Sequence, residues 1–309
     1  MIFQNPMENA NATPVHRPVM AAEVLRFLAP APGETFLDLT VGAGGHAAEI
    51  AARLGETGLL VGMDLDEDIL KHAERRLSGE GLAESRLFHR SYVECAEVLA
   101  EAGVEAVDGI LLDLGVSSLQ LGEAARGFSF SREGPLDMRM DPSGGGPTAA
   151  DIVNRAGEEE LAQIFFEYGQ ERLSRRIARR IVYERERGRI ETTTELATVA
   201  KRAYGPRRRR IHPATRIFQA LRIEVNGELE NLKEVLEMAP EILAPGGRIA
   251  VISFHSLEDR IVKEDFRGRA ADGVYKLLVK KPLRASQGEV EQNPRSRSAK
   301  LRAAQRSVQ

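Results

Sequence analysis

The sequence predicts an α/β fold: an open, doubly wound sheet interrupted by an all-helical insert. Three observations predict it. Short apolar runs at residues 35–39, 59–63 and 109–112 end at a glycine cluster or at a carboxylate, the pattern of strands buried on both faces. The segments between them carry helical periodicity, as crossover connections between parallel strands require. Beyond residue 117 the texture turns to glycine, serine and proline and then to uninterrupted helical spacing, before one more apolar run at 248–254.

Taken in order, residues 35–39 form the first strand and the alanine-rich stretch 47–54, with Ile50 and Leu54, the first crossover helix. Residues 59–63 form the second strand, 67–77 a helix, 86–90 a third strand and 109–112 a fourth. Gly144 to Pro147 exclude helix or strand and mark a long loop. Leu161, Ile164, Phe165 and Tyr168 then recur at i, i+3, i+4 and i+7, while Leu173, Ile177 and Ile181 recur at i+4. Thr192 with Glu195 reads as a capping box for a helix running towards Tyr204. After Gly246 and Gly247 the fifth strand resumes the sheet. The basic tail retains alternating segments such as 275–279.

A chain of 309 residues exceeds the usual size of one domain, so the insert is expected to form a unit of its own. The expected division is 1–118 with 216–309 for the sheet, and 119–215 for the helical unit. Residues 1–20 have no basic leader or apolar core, and no apolar run reaches bilayer length, so no membrane partner is expected. Cys95 is the single cysteine, which excludes an internal disulfide and fits the cytoplasm.

The net charge of -3 argues against coating nucleic acid through an overall field, but arginines cluster. Arg172, Arg175, Arg176, Arg179 and Arg180 share one segment, which is either a solvated helix face or a phosphate contact. Arg207 to Arg210 form a solid run, and Arg284, Arg295, Arg297, Lys300, Arg302 and Arg306 dominate the tail; both groups are expected at phosphates.

The first strand leads into Asp38-Leu39-Thr40-Val41-Gly42-Ala43-Gly44-Gly45-His46, a turn where glycine lets the backbone approach a ligand. Asp64 ends the second strand, where a carboxylate can accept from both hydroxyls of a ribose, and Asp38 is placed to receive an amino group. The same glycines satisfy G-x-G-x-x-A, so a nicotinamide enzyme is an alternative. Asp113 ends the fourth strand at the edge where doubly wound sheets bind ligands. His255, after the fifth strand, is read as a helix cap or phosphate contact ahead of an acid or base. The histidines and cysteine lack paired metal spacing and no Walker-type lysine is present, so neither a metal site nor phosphoryl transfer is expected.

Together with Asp113 to Ser118, Arg126-Gly127-Phe128-Ser129-Phe130, Gly134-Pro135-Leu136-Asp137-Met138-Arg139-Met140-Asp141 and the segment 253–262, these motifs make the chain resemble one family. It is that of the bacterial 16S ribosomal RNA cytosine-N4 methyltransferases, known as RsmH or MraW. Further matches are His16-Arg17-Pro18-Val19, His212-Pro213-Ala214-Thr215-Arg216, Phe218-Gln219-Ala220-Leu221-Arg222 and residues 293–302, so the likeness runs from about His16 almost to the end.

The resemblance implies a Rossmann-like sheet of the class I S-adenosylmethionine-dependent methyltransferases, with a helical domain inserted after the fourth strand. It implies that Gly44, Gly45, His46, Asp64, Tyr92, Asp113 and Gln120 bind S-adenosylmethionine, Tyr92 standing where phenylalanine is common and its ring flanking the adenine. Leu119 and Gly122 replace a proline and an aspartate beside Gln120, and Gln170 replaces a glutamate. The implied substrate is the exocyclic N4 of a cytosine in the decoding region of 16S rRNA, free or in the small subunit, with a monomer and a homodimer both left open. Asp113 is the first candidate to accept the amine's hydrogen bond, with Asp137 and Arg139 as second choices. A third alternative is an RNA-binding ribosome assembly factor with an inactive cofactor fold.

Overall fold

The computed structural model describes residues 18–205 and 212–308; His16, Arg17 and the run Arg207 to Arg210 lie outside the described residues. Helix α1 (Ala21–Leu28) precedes β1 (Thr35–Asp38), α2 (Gly45–Leu54), β2 (Leu59–Asp64), α3 (Glu67–Leu77) and β3 (Glu84–His89). A single 3-10 turn, Tyr92–Glu94, leads to α4 (Cys95–Glu101) and β4 (Val107–Asp113). Among the described residues only helices follow until the sheet resumes: α5 (Ser118–Gly122), α6 (Ala149–Arg155), α7 (Glu158–Glu167), α8 (Ser174–Arg185), α9 (Thr193–Tyr204), α10 (Ala214–Asn226) and α11 (Glu228–Ile242). Then come β5 (Leu243–Ser253), α12 (Ser256–Ala271), β6 (Tyr275–Leu277), β7 (Leu283–Arg284), α13 (Gln287–Gln292) and β8 (Lys300–Arg306).

The strands lie in the order β3-β2-β1-β4-β5-β8-β6, with β7 paired to β8. The first five are parallel, and β8 runs antiparallel to both β5 and β6. Alternate residues of each strand serve opposite faces, as the two-residue period dictates. Phe36, Leu60, Leu111, Ala250 and Ile252 pack with α1, α2 and α3, whereas Leu37, Val61, Ile110, Leu112, Ile249 and Val251 pack with α4, α11 and α12. Both faces are therefore covered, which is why the strands read as continuous apolar runs. Gly109 makes one of these layers possible: a Cβ there would sit 2.1 Å from Phe36 Cε1, so only glycine lets that ring cross β4.

The helical unit has its own core, in which Leu161, Ile164 and Phe165 of α7 meet Ile177 and Ile181 of α8, Leu196 of α9 and Ile217, Phe218 and Leu221 of α10. Thr192 caps α9 as its spacing predicts: its side chain accepts from Glu195 N at 3.3 Å, and the Glu195 carboxylate accepts from Thr192 N at 2.9 Å. Helix α10 joins the two regions, since Ile223 packs with Leu229 and Leu257.

Three expectations need correction. The fifth strand does not wait for Gly246 and Gly247 but starts at Leu243, which pairs with Val107 of β4. The third strand starts earlier than its apolar residues suggest, at Glu84, because its pairing with β2 extends back to Leu59. The basic tail is largely consumed inside the fold. Lys300 and Arg302 both donate to Asp259, at 2.9 and 2.7 Å, Arg306 donates to Leu243 O, and Arg295 donates to Val116 O. Setting β8 between β5 and β6 buries the stems of Lys300, Arg302 and Arg306, so their charged ends must find internal acceptors.

Candidate cofactor cleft and active site

The strand order reverses between β1 and β4, and a cleft opens there at the carboxyl ends, where doubly wound sheets take their ligands. Its floor is the turn after β1. Gly42 and Gly44 have φ of +53° and +76°, and a Cβ on Gly44 would lie 3.1 Å from Ala73 Cα of α3. Gly44 thus serves close packing against α3, while Gly42, Gly45 and His46 line the cleft.

Asp64 is fixed by the same turn. Its Oδ2 accepts from Gly42 N at 2.8 Å and its Oδ1 from Asp66 N at 2.9 Å. Burial pushes its carboxyl up to about 6 against the opposing pull of these backbone donors. Asp38 is wholly buried, does not line the cleft, and has no donor to Oδ2 among the described residues while Oδ1 accepts from Thr40 N at 3.1 Å. Burial, reinforced by Asp113 and Asp64, raises it to about 7.

Asp113 is held by its backbone N–H, which donates to Thr40 Oγ1 at 2.6 Å, and its Oδ2 lies 3.7 Å from His46 Nε2. Its Oδ1 is buried with no hydrogen-bond partner among the described residues. Burial raises this carboxyl to about 7, with Arg295 opposing and Glu258 adding to the rise. An orphaned carboxylate oxygen in a cleft is a costly arrangement that an incoming donor or cation would relieve.

Tyr92 lines the cleft, its hydroxyl donating to Glu228 O at 3.4 Å; burial drives its phenol well above the ordinary range. Gln120 also lines it, but both ends of its carboxamide are engaged. Nε2 donates to Asp66 Oδ2 at 3.0 Å and Oε1 accepts from Ser117 N at 2.8 Å, so Gln120 ties the loop after β4 to the end of β2. Arg126 reaches the same Asp66 and also donates to the carbonyls of Arg139 and Met140. Asp137 and Arg139 are bound to each other through two contacts of 2.8 Å, and neither lines the cleft. The structure does not bring them to Asp113; they shape a loop that Arg126 and Asn226 clamp, Asn226 donating to Met138 O and accepting from Met140 N.

His255 is a helix cap: Nδ1 accepts from Glu258 N at 3.3 Å, and Nε2 lies 3.1 Å from Glu258 Oε1. Sequence reasoning missed the surrounding cluster. Arg222 of α10 donates to both oxygens of Glu228 at 2.7 Å and lies 4.0 Å from Glu258. Burial opposes ionisation of Glu258, but His255 and Arg222 outweigh it and hold the carboxyl below its ordinary value. Glu228, His255 and Glu258 bring ligand atoms within 4.8 Å of one another, as a metal site would, yet the Arg222 guanidinium already supplies the cation. The sequence signals were the quoted motifs 218–222 and 253–262, which hold Arg222, His255 and Glu258 but do not show that they meet.

A switch-point cleft with a glycine turn, an acidic residue ending each of β1, β2 and β4, and an antiparallel β8 set into the sheet defines an S-adenosylmethionine-dependent methyltransferase. More particularly, the chain belongs to the MraW methylase family, whose family model matches residues 13–307. That match to a methylase family is what sets the nicotinamide alternative aside. It is 51% identical to the ribosomal RNA small subunit methyltransferase H of Koribacter versatilis over 300 residues, covering 94% of each chain. It is 50% identical to the protein of that name from Deinococcus radiodurans, covering 99% of this chain and 94% of the relative. Among the described residues no helix is long and apolar enough to cross a membrane.

Proposed function

We propose that this chain, working in the cytoplasm, transfers the methyl group of S-adenosylmethionine to the exocyclic N4 of a cytosine in the decoding region of 16S ribosomal RNA. The observation that carries the chemistry is Asp113 Oδ1, a buried acceptor without a donor among the described residues, in the cleft that the glycine turn and Asp64 enclose. The names of the relatives support the small-subunit substrate.

When bound, the cofactor supplies an electrophilic methyl group on a sulfonium. Gly42, Gly45 and His46 would hold it through the turn that Gly44 shapes by packing on α3, Asp64 through a ribose, and Tyr92 through its ring, with Gln120 keeping the loop after β4 in place. Asp64 suits the task because each of its oxygens keeps a lone pair beyond the backbone donor that fixes it.

The N4 amine of cytosine is a poor nucleophile, since its lone pair is delocalised into the ring. Asp113 accepts one N–H of that amine, turns its single lone pair towards the cleft, and takes the proton of that N–H as the nitrogen gains the methyl group. A carboxyl raised to about 7 is a stronger base than an ordinary one while still ionised in useful amount at neutral pH. The base reaches this edge only when unstacked, and the helical unit, residues 119–215 in the proposed division, holds the surrounding strand.

Transfer of label from methyl-tritiated cofactor to small subunits lacking the modification tests the reading. Subunits that bind the protein and take up no label would make it an inactive assembly factor instead.

A further inference from the structure

Helices α7 and α8 enclose a groove away from the cofactor cleft, with Phe166 on one wall and Arg172, Arg175, Arg176 and Arg179 on the other. Phe166 is 63% exposed, although its neighbour Phe165 is fully buried in the helical core. At about 100° per residue, positions 172, 175, 176, 179, 180, 183 and 187 fall within an arc of about 140° on α8 and its flanks. The opposite face carries Ile177 and Ile181, which are buried. Arg172, Arg175 and Arg176 are exposed and make no ion pair among the described residues. Tyr183 extends the same face, with the guanidinium carbons of Arg187 and Arg180 lying 4.1 and 5.2 Å from its ring centroid.

Four arginines face two acidic groups in the groove, Glu158, which Arg179 contacts at 3.2 Å, and Glu159. A folding role does not account for this surface. The core of α7 is completed by Leu161, Ile164 and Phe165, so an exposed aromatic ring beside unpaired cations adds nothing to it. Cations that track a phosphate backbone beside a ring on which a base can stack are what binds single-stranded nucleic acid.

We propose that the groove between α7 and α8 is a second RNA-binding surface, which seats one unstacked base on Phe166 and the flanking phosphates on Arg172, Arg175 and Arg176. This rests on RNA being the substrate and adds where and in what form the strand is held: as a single strand, outside the methylation cleft. The helical unit then works as an anchor that fixes the strand while the target base enters the cleft.

The chain has no tryptophan, so Phe166→Trp places the only one at the proposed stacking position. Titration of that variant with a short single-stranded RNA should quench its emission, and the same RNA as a duplex should not. Phe166→Ala should weaken single-strand binding by roughly 5- to 100-fold with cofactor affinity unchanged. Replacing Arg175 and Arg176 by Gln should lower the salt slope of binding by about 0.7 for each charge. Unchanged tryptophan emission at saturating RNA, or Phe166→Ala binding within twofold of the parent, overturns the proposal. A loss confined to assembled subunits, with naked RNA bound normally, would assign the groove to a subunit protein and overturn it as well. Label transfer to small subunits is measured on the same preparations, so failure of the groove is distinguished from failure of the methylation reading.

Discussion

His46 Nε2 lies 3.7 Å from Asp113 Oδ2, linking the glycine turn after β1 to the end of β4 across the point where the strand order reverses. Cofactor turn and candidate acceptor are thereby one unit. Because the second oxygen of Asp113 has no donor among the described residues, this residue carries the sharpest consequences.

Replacing Asp113 by Asn keeps the shape and removes the base. Methyl transfer should fall by about 100-fold or more, with cofactor affinity within threefold of the parent by calorimetry. Loss of affinity in step with loss of rate would make Asp113 a cofactor ligand only.

The pH profile follows from the same group. Burial raises Asp113 to about 7, and the base must be ionised, so kcat/KM should rise with pH and level off above about 7. A profile flat from pH 5 to 8 contradicts the assignment.

Stability should move the opposite way. Asp38 has a folded pKa near 7, above its ordinary value of 3.8, so the folded chain holds its proton more tightly than the unfolded chain. That contribution is complete below about pH 4 and is lost as pH rises through 7. Urea midpoints should therefore fall between pH 5 and 8, and Asp38→Asn should fall less than the parent; equal slopes would exclude Asp38 as a source.

Cofactor and RNA affinity should separate. Asp64→Ala removes the carboxylate that the turn positions, and should weaken S-adenosylmethionine binding at least tenfold while RNA affinity stays within twofold. Replacing Arg207 to Arg210 by Gln should do the reverse and flatten the salt dependence. Equal losses in both assays would refute this division.

The sheet was legible because strands buried on both faces leave unbroken apolar runs, each closed by an acidic residue at the ligand edge: Asp38, Asp64 and Asp113. Strand β8 was not, since Lys300, Arg302 and Arg306 look like a solvated basic tail until Asp259 and Leu243 O are seen to satisfy them. Helix α6 announces itself only through Thr148 and Asp151, a capping pair that the preceding glycine-rich loop obscured. In the site, Asp64 was readable from its place after β2. The Arg222, Glu228 and Glu258 cluster was not, because the consecutive helices α10 and α11 must pack against the more distant α12 before its charges meet. Gln120 was identified only by family resemblance; the structure adds its bond to Asp66.

The most direct test of the central claim is nucleoside mass mapping of 16S RNA from unmodified small subunits after incubation with the chain and S-adenosylmethionine. One new N4-methylcytidine in the decoding region is the predicted product. A methyl group on a ring carbon or on a ribose would contradict it, because neither presents an exocyclic amine to Asp113, and so would one on the amine of adenine or guanine, which is not the cytosine N4.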